Sequence, residues 1–370
     1  MLHPFDDYPL HQTPQPFLHT GTDSPNAYDR FFFNGFSVDG EVFFAVAFGV
    51  YPNRRVMDGA FSVIHRGVQH NVRASRTCPD DRVRTEVGPL RVEVVEPMRQ
   101  HRIVLDGRHG IAADLTMTAM APAIEEPRFV HQAGARTVFD YTRLTQFGRW
   151  TGWIDIDGER IEVGSATGPE VVGVRDRSWG IRPVGDPIPG PPSMPQFFWL
   201  WAPTVFDDVC THFALNQEAD GRTWHQSGAV VPVLAEGEPT LDPGRVQRSE
   251  SATFDVTWQP GTRWAQRMTT RLGMWNGDPV EVTYEPFLQF QMVGLGYRHP
   301  TWGHGRWVGA DESTRDEIVL AEVAASDHLN LHVQALARAT WGDRIGVGIV
   351  EQLVIGPHAP TGLTGIFDGA

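Results

Sequence analysis

WIDIDGERIEV, residues 153–163, alternates apolar and polar side chains on both sides of Asp157-Gly158. Alternation with a period of two is typical of half-buried β-strands. An Asp-Gly pair favours the tight turns of β-hairpins, because both residues tolerate positive φ. The stretch therefore predicts two antiparallel strands joined by a two-residue turn.

The same signals recur along the whole chain. Asp-Gly or Asn-Gly pairs stand at 34–35, 39–40, 58–59, 106–107, 157–158, 220–221, 276–277 and 368–369. Alternating runs include RVEVVEP (91–97), EVTYEPFLQFQMVG (281–294) and DHLNLHVQALA (327–337). A lasting apolar stripe with the helical period of 3.6 is hard to find. We predict an all-β protein built from antiparallel strands, with few helices.

The composition excludes several classes of function. The 370 residues carry a formal net charge of -14, whereas binding to nucleic acid or to an anionic membrane requires a basic face. All 31 basic residues are arginine, which excludes Schiff-base lysine chemistry and a phosphate-loop lysine. No GxGxxG dinucleotide fingerprint occurs. We expect no cofactor and no nucleic-acid partner.

The cysteines and the N-terminus indicate a location. Cys78 and Cys210 are too few for a disulfide framework, which favours a reducing compartment. MLHPFDDYPLHQTPQPF at the N-terminus lacks the basic start and apolar core of a signal peptide. No uncharged apolar run reaches membrane-spanning length. We expect a cytoplasmic protein without an integral membrane segment; its oligomeric state is left open.

A proline-rich stretch divides the chain near its middle. RPVGDPIPGPPSMPQ, residues 182–196, contains six prolines. Proline fixes φ and removes a hydrogen-bond donor, so this stretch is neither a central strand nor a helix. We expect a linker here, between an N-terminal β domain of residues 1–185 and a C-terminal β domain of residues 186–370.

Two similar octapeptides occur in the sequence, 123 residues apart. GVRDRSWG (173–180) and GYRHPTWG (296–303) share Gly, Arg, Ser or Thr, Trp and Gly in the same columns. The simplest interpretation is a duplicated β domain, with the motif at an equivalent place in each copy. The two copies differ at one position of interest, Asp176 in the first and His299 in the second. We expect these two residues to give each copy its own chemical role.

These motifs resemble those of the lipocalin-like superfamily that includes carotenoid 1,2-hydratase (hydroxyneurosporene synthase) and its AttH-like relatives. The residues that carry the resemblance are RDRSWG (175–180) and YRHPTWGHG (297–305). The likeness in overall plan extends from about Tyr28 onward. It implies two tandem lipocalin-like (calycin-type) antiparallel β-barrels and an apolar substrate.

Hydration of an unactivated C=C bond requires a positioned acid, and Asp176 is the candidate. A carboxyl group in apolar surroundings has a raised pKa and keeps a proton near neutrality. The alternative is that Asp176 forms an ion pair with Arg175 or Arg177, which would lower its pKa. The sequence leaves both interpretations open.

The second motif offers three further catalytic candidates. His299 and His304 are expected to hold water or return the proton, because histidine titrates near neutral pH. Tyr297 is expected to orient the substrate. The alternatives are capping or exposed histidines in a Gly-Pro loop and an ordinary half-buried tyrosine.

Aromatic side chains and one arginine are the candidates for substrate binding. Trp199 and Trp201 lie in FFWLWAP (197–203), one of the most aromatic stretches, and are expected to line a cavity. Trp179, Trp302 and Arg177 belong to the motifs themselves. The alternative is that these tryptophans pack in the core or close the ends of the barrels.

The stretch DDVCTH (207–212) contains three residue types that can bind metal ions. Asp208, Cys210 and His212 share one face of a strand, but zinc sites usually draw their ligands from separate elements. We expect no metal.

Together these features predict a cofactor-independent hydratase or dehydratase, or an isomerase or cyclase. It would act by acid–base chemistry on a C=C bond of an apolar isoprenoid, steroid or lipid-like molecule. The alternative is a carrier of lipids or other hydrophobic ligands without chemistry, because barrels of this kind bind such ligands readily.

Overall fold

The computed structural model describes residues 2–165, 168–186 and 194–370. Within these ranges the chain is almost entirely strand and loop, and every helix is a 3-10 turn of three or four residues. The prediction of an all-β protein with few helices is confirmed. No helix in the described ranges is long and apolar enough to cross a bilayer.

The strands follow one another along the chain with short connections. Those of the first half are β1 (Ala27–Ser37), β2 (Phe43–Tyr51), β3 (Val56–His65), β4 (Val68–Thr77), β5 (Glu86–Val87), β6 (Leu90–Glu96), β7 (Gln100–Asp106), β8 (Ile111–Ala119), β9 (Ile124–Glu125), β10 (Phe129–Ala133), β11 (Arg136–Ile156), β12 (Glu159–Val163) and β13 (Val171–Ile181). Those of the second half are β14 (Phe197–Trp201), β15 (Thr204–Val205), β16 (Val209–Gln217), β17 (Thr223–Pro232), β18 (Gln247–Trp258), β19 (Ala265–Met274), β20 (Val280–Gln291), β21 (Asp311–Val319), β22 (His332–Trp341) and β23 (Arg344–Ile355). The 3-10 turns are Pro4–Asp7, Pro52–Arg54, Arg108–Gly110, Pro243–Arg245, Met292–Leu295, Leu320–Glu322, His328–Asn330 and Ala359–Thr361.

The strands form two antiparallel sheets, each curled into a barrel. The first sheet runs in the order β21-β4-β3-β2-β1-β13-β11-β8-β7-β6-β5 and is nearly closed. The second sheet closes on itself, because β14 pairs with both β16 and β23 while β16 also pairs with β17. Two lipocalin-like barrels in tandem are what the resemblance implied.

The hairpin at 153–163 forms as the sequence predicts. Ile154 pairs with Ile161, and Ile156 pairs with Glu159 across the turn. Asp157 and Gly158 have φ values of 53° and 91°, which is the left-handed region that a tight hairpin turn requires.

Burial divides the apolar side chains into three main clusters. One lies inside the first barrel and draws only on the first half, with Phe33 and Trp150 among its members. Another lies inside the second barrel and draws only on the second half. The remaining large cluster contains residues of both halves, such as Phe32 and Trp201, and is therefore the interface between the barrels. The two barrels pack through the outer faces of their sheets.

One strand does not follow the division of the chain into halves. β21 belongs to the second half but pairs with β4 of the first sheet, from Asp311 opposite Arg76 to Val319 opposite Val68. Every other strand lies in the barrel of its own half. We retain the division near residue 185 as a proposal for the domain organisation. Residues 187–193 of the expected linker lie outside the described residues.

The two octapeptides do not occupy equivalent places. The first forms most of β13, a central strand of the first sheet, whereas the second lies in a loop after the turn Met292–Leu295. The interpretation as matching copies is therefore wrong. The shared glycines serve different local needs: Gly173 allows the close approach of two strands, while Gly296 has a φ of 91° that suits only a turn.

Replacement of Gly173 by Ala should destabilise the first barrel. An added Cβ would lie 2.0 Å from the carbonyl oxygen of Asn34 and 2.8 Å from Nε1 of Trp150. These two atoms form a buried hydrogen bond of 2.8 Å, which the methyl group would displace. We expect a loss of about 1–3 kcal/mol in the free energy of unfolding, measured by urea denaturation.

Gly244→Ala is the matched control for this prediction. Gly244 is exposed, and an added Cβ would meet its nearest atom, Oδ1 of Asp242, at 3.3 Å. We expect a change of at most about 0.5 kcal/mol. Equal stabilities for the two variants would contradict the close packing at Gly173.

Candidate active site

Three neighbouring strands of the first sheet build one wall of the candidate site. β13 lies between β1 and β11, and its even-numbered residues from Val174 to Gly180 face the second barrel. The register produces three rows of side chains across these strands: Tyr28–Gly180–Tyr141, Arg30–Ser178–Arg143 and Phe32–Asp176–Thr145. Because Gly180 has no side chain, the rings of Tyr28 and Tyr141 meet edge to face, 6.0 Å between centroids.

Asp176 is the acidic residue of this wall. Its carboxyl group is half-buried and forms no hydrogen bond or ion pair with any described residue. Burial raises its pKa to about 6, even though the charges of Arg143 and Arg30 lower it. The carboxyl group therefore remains partly protonated close to neutral pH.

The arginines on either side of Asp176 in the sequence do not pair with it. Adjacent residues of a strand point to opposite faces, so Arg175 and Arg177 face away from the second barrel. Arg175 donates to Oε1 of Gln146 at 2.8 Å. Arg177 forms an ion pair with Asp29, and its guanidinium lies 4.1 Å above the ring of Phe31. The ion pair that the sequence left open for Asp176 does not form.

A second buried acid, Glu126, neutralises the arginine next to Asp176. Arg143 donates to both carboxylate oxygens of Glu126 at 2.6 Å, and the Thr145 hydroxyl adds a third hydrogen bond of 2.7 Å. Burial would raise the pKa of Glu126, but Arg143 and His212 outweigh it and lower that pKa. Glu126 therefore stays ionised and bound to its partners, so it cannot act as a proton donor.

The outer face of the second barrel forms the opposite wall. Trp199 and Trp201 project from β14. Beside them, Oε1 of Glu351 lies 2.7 Å from Nε2 of His332 and accepts from Nε1 of Trp199 at 3.3 Å. The hydrogen bond from His332 helps to lower the pKa of Glu351 against the effect of burial. A histidine held by a carboxylate in this way presents its other ring nitrogen as a base.

Residues 296–306, which we call the cavity loop, close one side of the site. The Tyr297 ring contacts the rings of His304 and His332 edge to face, at 4.4 Å and 4.5 Å between centroids. Burial raises the pKa of Tyr297, so its hydroxyl stays neutral. Burial together with Arg30 and Arg182 keeps the pKa of His304 well below its usual range, so this imidazole is neutral as well.

His299 mainly holds the cavity loop in shape. Its Nδ1 accepts from the backbone N–H groups of Thr301 and Trp302, at 3.1 Å and 2.9 Å. Nδ1 is therefore unprotonated, and neutral His299 carries its proton on Nε2. Burial lowers its pKa. This is the capping role that the sequence left open.

The two walls and the cavity loop enclose a cavity of about 440 Å³, which we call the inter-barrel cavity. Such a volume suits a small organic molecule. Its apolar lining is largely aromatic. The lining residues on which the following sections depend are Phe32, Tyr141, Arg143, Asp176, Arg182, Trp199, Trp201, Tyr297, His299, His304, His332 and Glu351. Six of the nine residues predicted from the sequence thus share one cavity.

The other three predicted residues lie elsewhere. Arg177 faces a different cavity of about 790 Å³ between the N-terminal segment and the first sheet. Trp179 lies on the same strand face as Arg177 and is 43% exposed. Trp302 belongs to the cavity loop, but its side chain lines a small crevice beside Asp58 instead of the inter-barrel cavity. Strand alternation and the fold of the loop remove these three side chains from the inter-barrel cavity.

Several charged or titratable residues of the cavity were missed in the sequence. Those on which the site depends most, Arg143, Arg182, His332 and Glu351, stand outside the repeated octapeptide. A signal existed for Glu351, because it is the only charged residue in the apolar run GVGIVEQLVIG (346–356). An ionisable group in such a strand is rarely buried without a partner.

The three candidate metal ligands of the stretch DDVCTH have different surroundings in the structure. Asp208 pairs with Arg344, Cys210 is buried between the barrels, and His212 lies 3.4 Å from Glu126. Within the described ranges, no three His, Cys, Asp or Glu residues are arranged to hold a metal ion.

Comparisons with solved structures agree with this architecture. A crystal structure described as an AttH from Nitrosomonas europaea superposes with a TM-score of 0.55 at 13% identity, over 89% of this chain and 93% of that one. Kievitone hydratase from Nectria haematococca superposes with a TM-score of 0.53 at 11% identity, over 91% and 93% of the two chains. These similarities confirm the resemblance at the level of the fold.

No curated protein matches the sequence significantly. One family model, however, matches it over nearly its whole length, from residue 2 to residue 364. The chain therefore belongs to the family described as Family of unknown function (DUF8625).

Proposed function

We propose that this protein is a hydratase-type enzyme that adds water to a C=C bond of an apolar molecule, or removes it, in the inter-barrel cavity. The observation that carries the proposal is Asp176: a carboxyl group with a pKa of about 6 and no partner among the described residues, placed in a cavity whose apolar lining is largely aromatic. General acid catalysis requires a donor whose pKa lies near the working pH.

The first step is transfer of the Asp176 proton to one alkene carbon. The π electrons form the new C–H bond, and the other carbon becomes cationic. Trp199, Trp201 and Tyr141 line the cavity, and the faces of aromatic rings stabilise a nearby cation. The same rings exclude water from most of the apolar substrate.

The second step is attack by water on the cationic carbon. The hydroxyl of Tyr297 has no hydrogen-bond partner among the described residues, so we assign it to hold the water or a substrate oxygen. The proton that water loses passes to His332, whose ring is oriented by Glu351. Neutral His304 supports the Tyr297 ring, and His299 shapes the loop that carries both.

The fold similarity to kievitone hydratase supports hydration over other acid–base reactions of the same groups. Dehydration uses the same residues in reverse, and isomerisation or cyclisation follows if the cation loses a proton or is attacked internally. As substrate class we propose an isoprenoid, steroid or other lipid-like molecule, because the cavity is aromatic and small. The acid–base groups suffice without a cofactor, and we propose a cytoplasmic location on the sequence evidence.

Replacement of Asp176 by Asn should abolish most turnover. The protein is incubated with apolar extracts of its source organism in ¹⁸O-labelled water, and compounds that gain the label are identified by mass spectrometry. On such a compound, D176N should lose rate by about 10²–10⁴-fold, since an amide donates no proton to carbon. Ligand binding should be nearly unchanged, because the shape of the cavity is kept.

Asp29→Asn is the matched control. Asp29 lies on β1 of the same sheet, but on the opposite face, where it pairs with Arg177. We expect D29N to keep the rate within about threefold, since it removes no group from the cavity. Equal rates for D176N and the wild type would refute Asp176 as the acid. An extract compound retained without label uptake would favour a carrier.

The pH dependence of turnover should follow the protonation of Asp176. Its pKa in the folded protein is raised to about 6, so the active, protonated form is lost as the pH increases above that value. We expect kcat/KM to fall about tenfold per pH unit above about pH 6. The profile is measured between pH 5 and pH 9 on the labelled compound. A rate that stays constant up to pH 8 would contradict this assignment.

A further inference from the structure

Arg182 brings an uncompensated positive charge to the inter-barrel cavity. It follows the end of β13, is half-buried and lines the cavity. Its guanidinium lies 5.4 Å above the ring of Tyr28 and forms no hydrogen bond or ion pair with any described residue. The five N–H donors of this side chain are therefore available to a ligand.

Arg30 adds a second such charge behind the cavity loop. It is 2% exposed, and its guanidinium forms no ion pair with any described residue. Nη2 lies 3.1 Å from Nε2 of His304, the guanidinium lies 4.7 Å above the ring of Tyr297, and Nε is buried without a partner. A buried cation without a carboxylate is costly unless another anion compensates it.

No carboxylate in the described ranges forms an ion pair with Arg182 or Arg30, and the rest of the chain supplies none. Residues 1, 166–167 and 187–193, which lie outside the described ranges, include no Asp or Glu. Asp58 is close enough to attract both arginines. Its oxygens, however, bind the N–H of Gly305 at 2.7 Å and the hydroxyl of Tyr51 at 3.2 Å, and neither guanidinium reaches it within 4 Å.

Arg143 is an arginine of the same cavity whose charge is neutralised within the protein. Its guanidinium is held by both oxygens of Glu126. Arg182 also lines the wall of the cavity, half-buried, but it has no such acid. The difference indicates that the anion for Arg182 comes with the ligand.

We propose that the inter-barrel cavity binds an apolar molecule that carries one anionic oxygen group, such as a carboxylate, held by Arg182 with Arg30 behind it. The planar guanidinium matches a carboxylate through two parallel hydrogen bonds. The inference rests on the proposed function only in taking this cavity as the substrate site.

The spacing of the two functional residues also limits the shape of the ligand. Asp176 and Arg182 are six residues apart on or just beyond β13, about 20 Å between Cα atoms at the rise of a strand. The arginine side chain reaches back over Tyr28 but forms no ion pair with Asp176, so the anionic group and the reacting double bond occupy different positions along the cavity. The two groups of the ligand are therefore separated by several bonds.

Binding of cis-parinaric acid and of its methyl ester tests the proposal. The two fluorescent polyenes differ only in the charged group. We expect the wild-type protein to bind the acid at least about tenfold more tightly than the ester, as for a charge-assisted hydrogen bond. Arg182→Gln should weaken binding of the acid about 10- to 100-fold and leave the ester unchanged.

Three variants complete the test. Arg182→Lys keeps the charge without the planar fork and should recover part of the preference for the acid. Arg338→Gln removes an exposed arginine that does not line the cavity and should change neither affinity. Thermal melting of each variant shows that it is folded. Equal affinity of the wild type for acid and ester, or an equal loss of both in R182Q, would overturn the proposal.

Asp176→Asn separates this proposal from the proposed function. D176N should keep the preference for the acid, because Arg182 and Arg30 are intact. A preference for the acid without any label uptake from water would leave the anion site standing and refute the hydratase. Label uptake without any such preference would refute the anion site alone.

Discussion

The two-residue alternation of β13 is the constraint on which the site depends. Asp176 stands between two arginines in the sequence, and a compact turn would let either of them pair with it. In a strand both arginines are forced to the opposite face, where Gln146 and Asp29 bind them. Asp176 is left facing the second barrel without a partner among the described residues, in surroundings that raise its pKa. The surrounding barrel walls therefore keep this carboxyl group protonated at a higher pH than an exposed aspartate.

A chain of buried amides joins the two barrels beside this acid. The side chain of Asn34 accepts from the N–H of Val174 at 2.8 Å and donates to Oε1 of Gln334 at 3.1 Å. Gln334 in turn donates to Oε2 of Glu351 at 2.7 Å. Buried polar groups must find partners with good geometry, so such a chain fixes the relative position of the two sheets. It also ties the acid of one barrel to the His332–Glu351 pair of the other.

The fold class could be predicted from the sequence because its signals are local. Asp157-Gly158 and the alternation around it determine a hairpin without reference to the rest of the chain. The octapeptides predicted a false equivalence for the opposite reason, because the role of a glycine depends on its surroundings. Gly173 is required by the close approach of a neighbouring strand, whereas Gly296 is required by a turn. The interaction between His332 and Glu351 depends on the register of β22 and β23, and the unpaired charge of Arg182 is evident only once its neighbours in three dimensions are known. Such facts are non-local, so no motif reports them.

The strand exchange at β21 has a consequence for the way in which ligands enter and leave. The cavity loop follows β20 of the second barrel and precedes β21, which is hydrogen-bonded along its length to β4 of the first. Swinging the barrels apart would have to stretch this connection or strip a nine-residue strand from its neighbour. We therefore expect a ligand to enter and leave while the barrels stay together. The rate of ligand release would then depend on motions of side chains and loops around the cavity, which are much faster than the opening of domains.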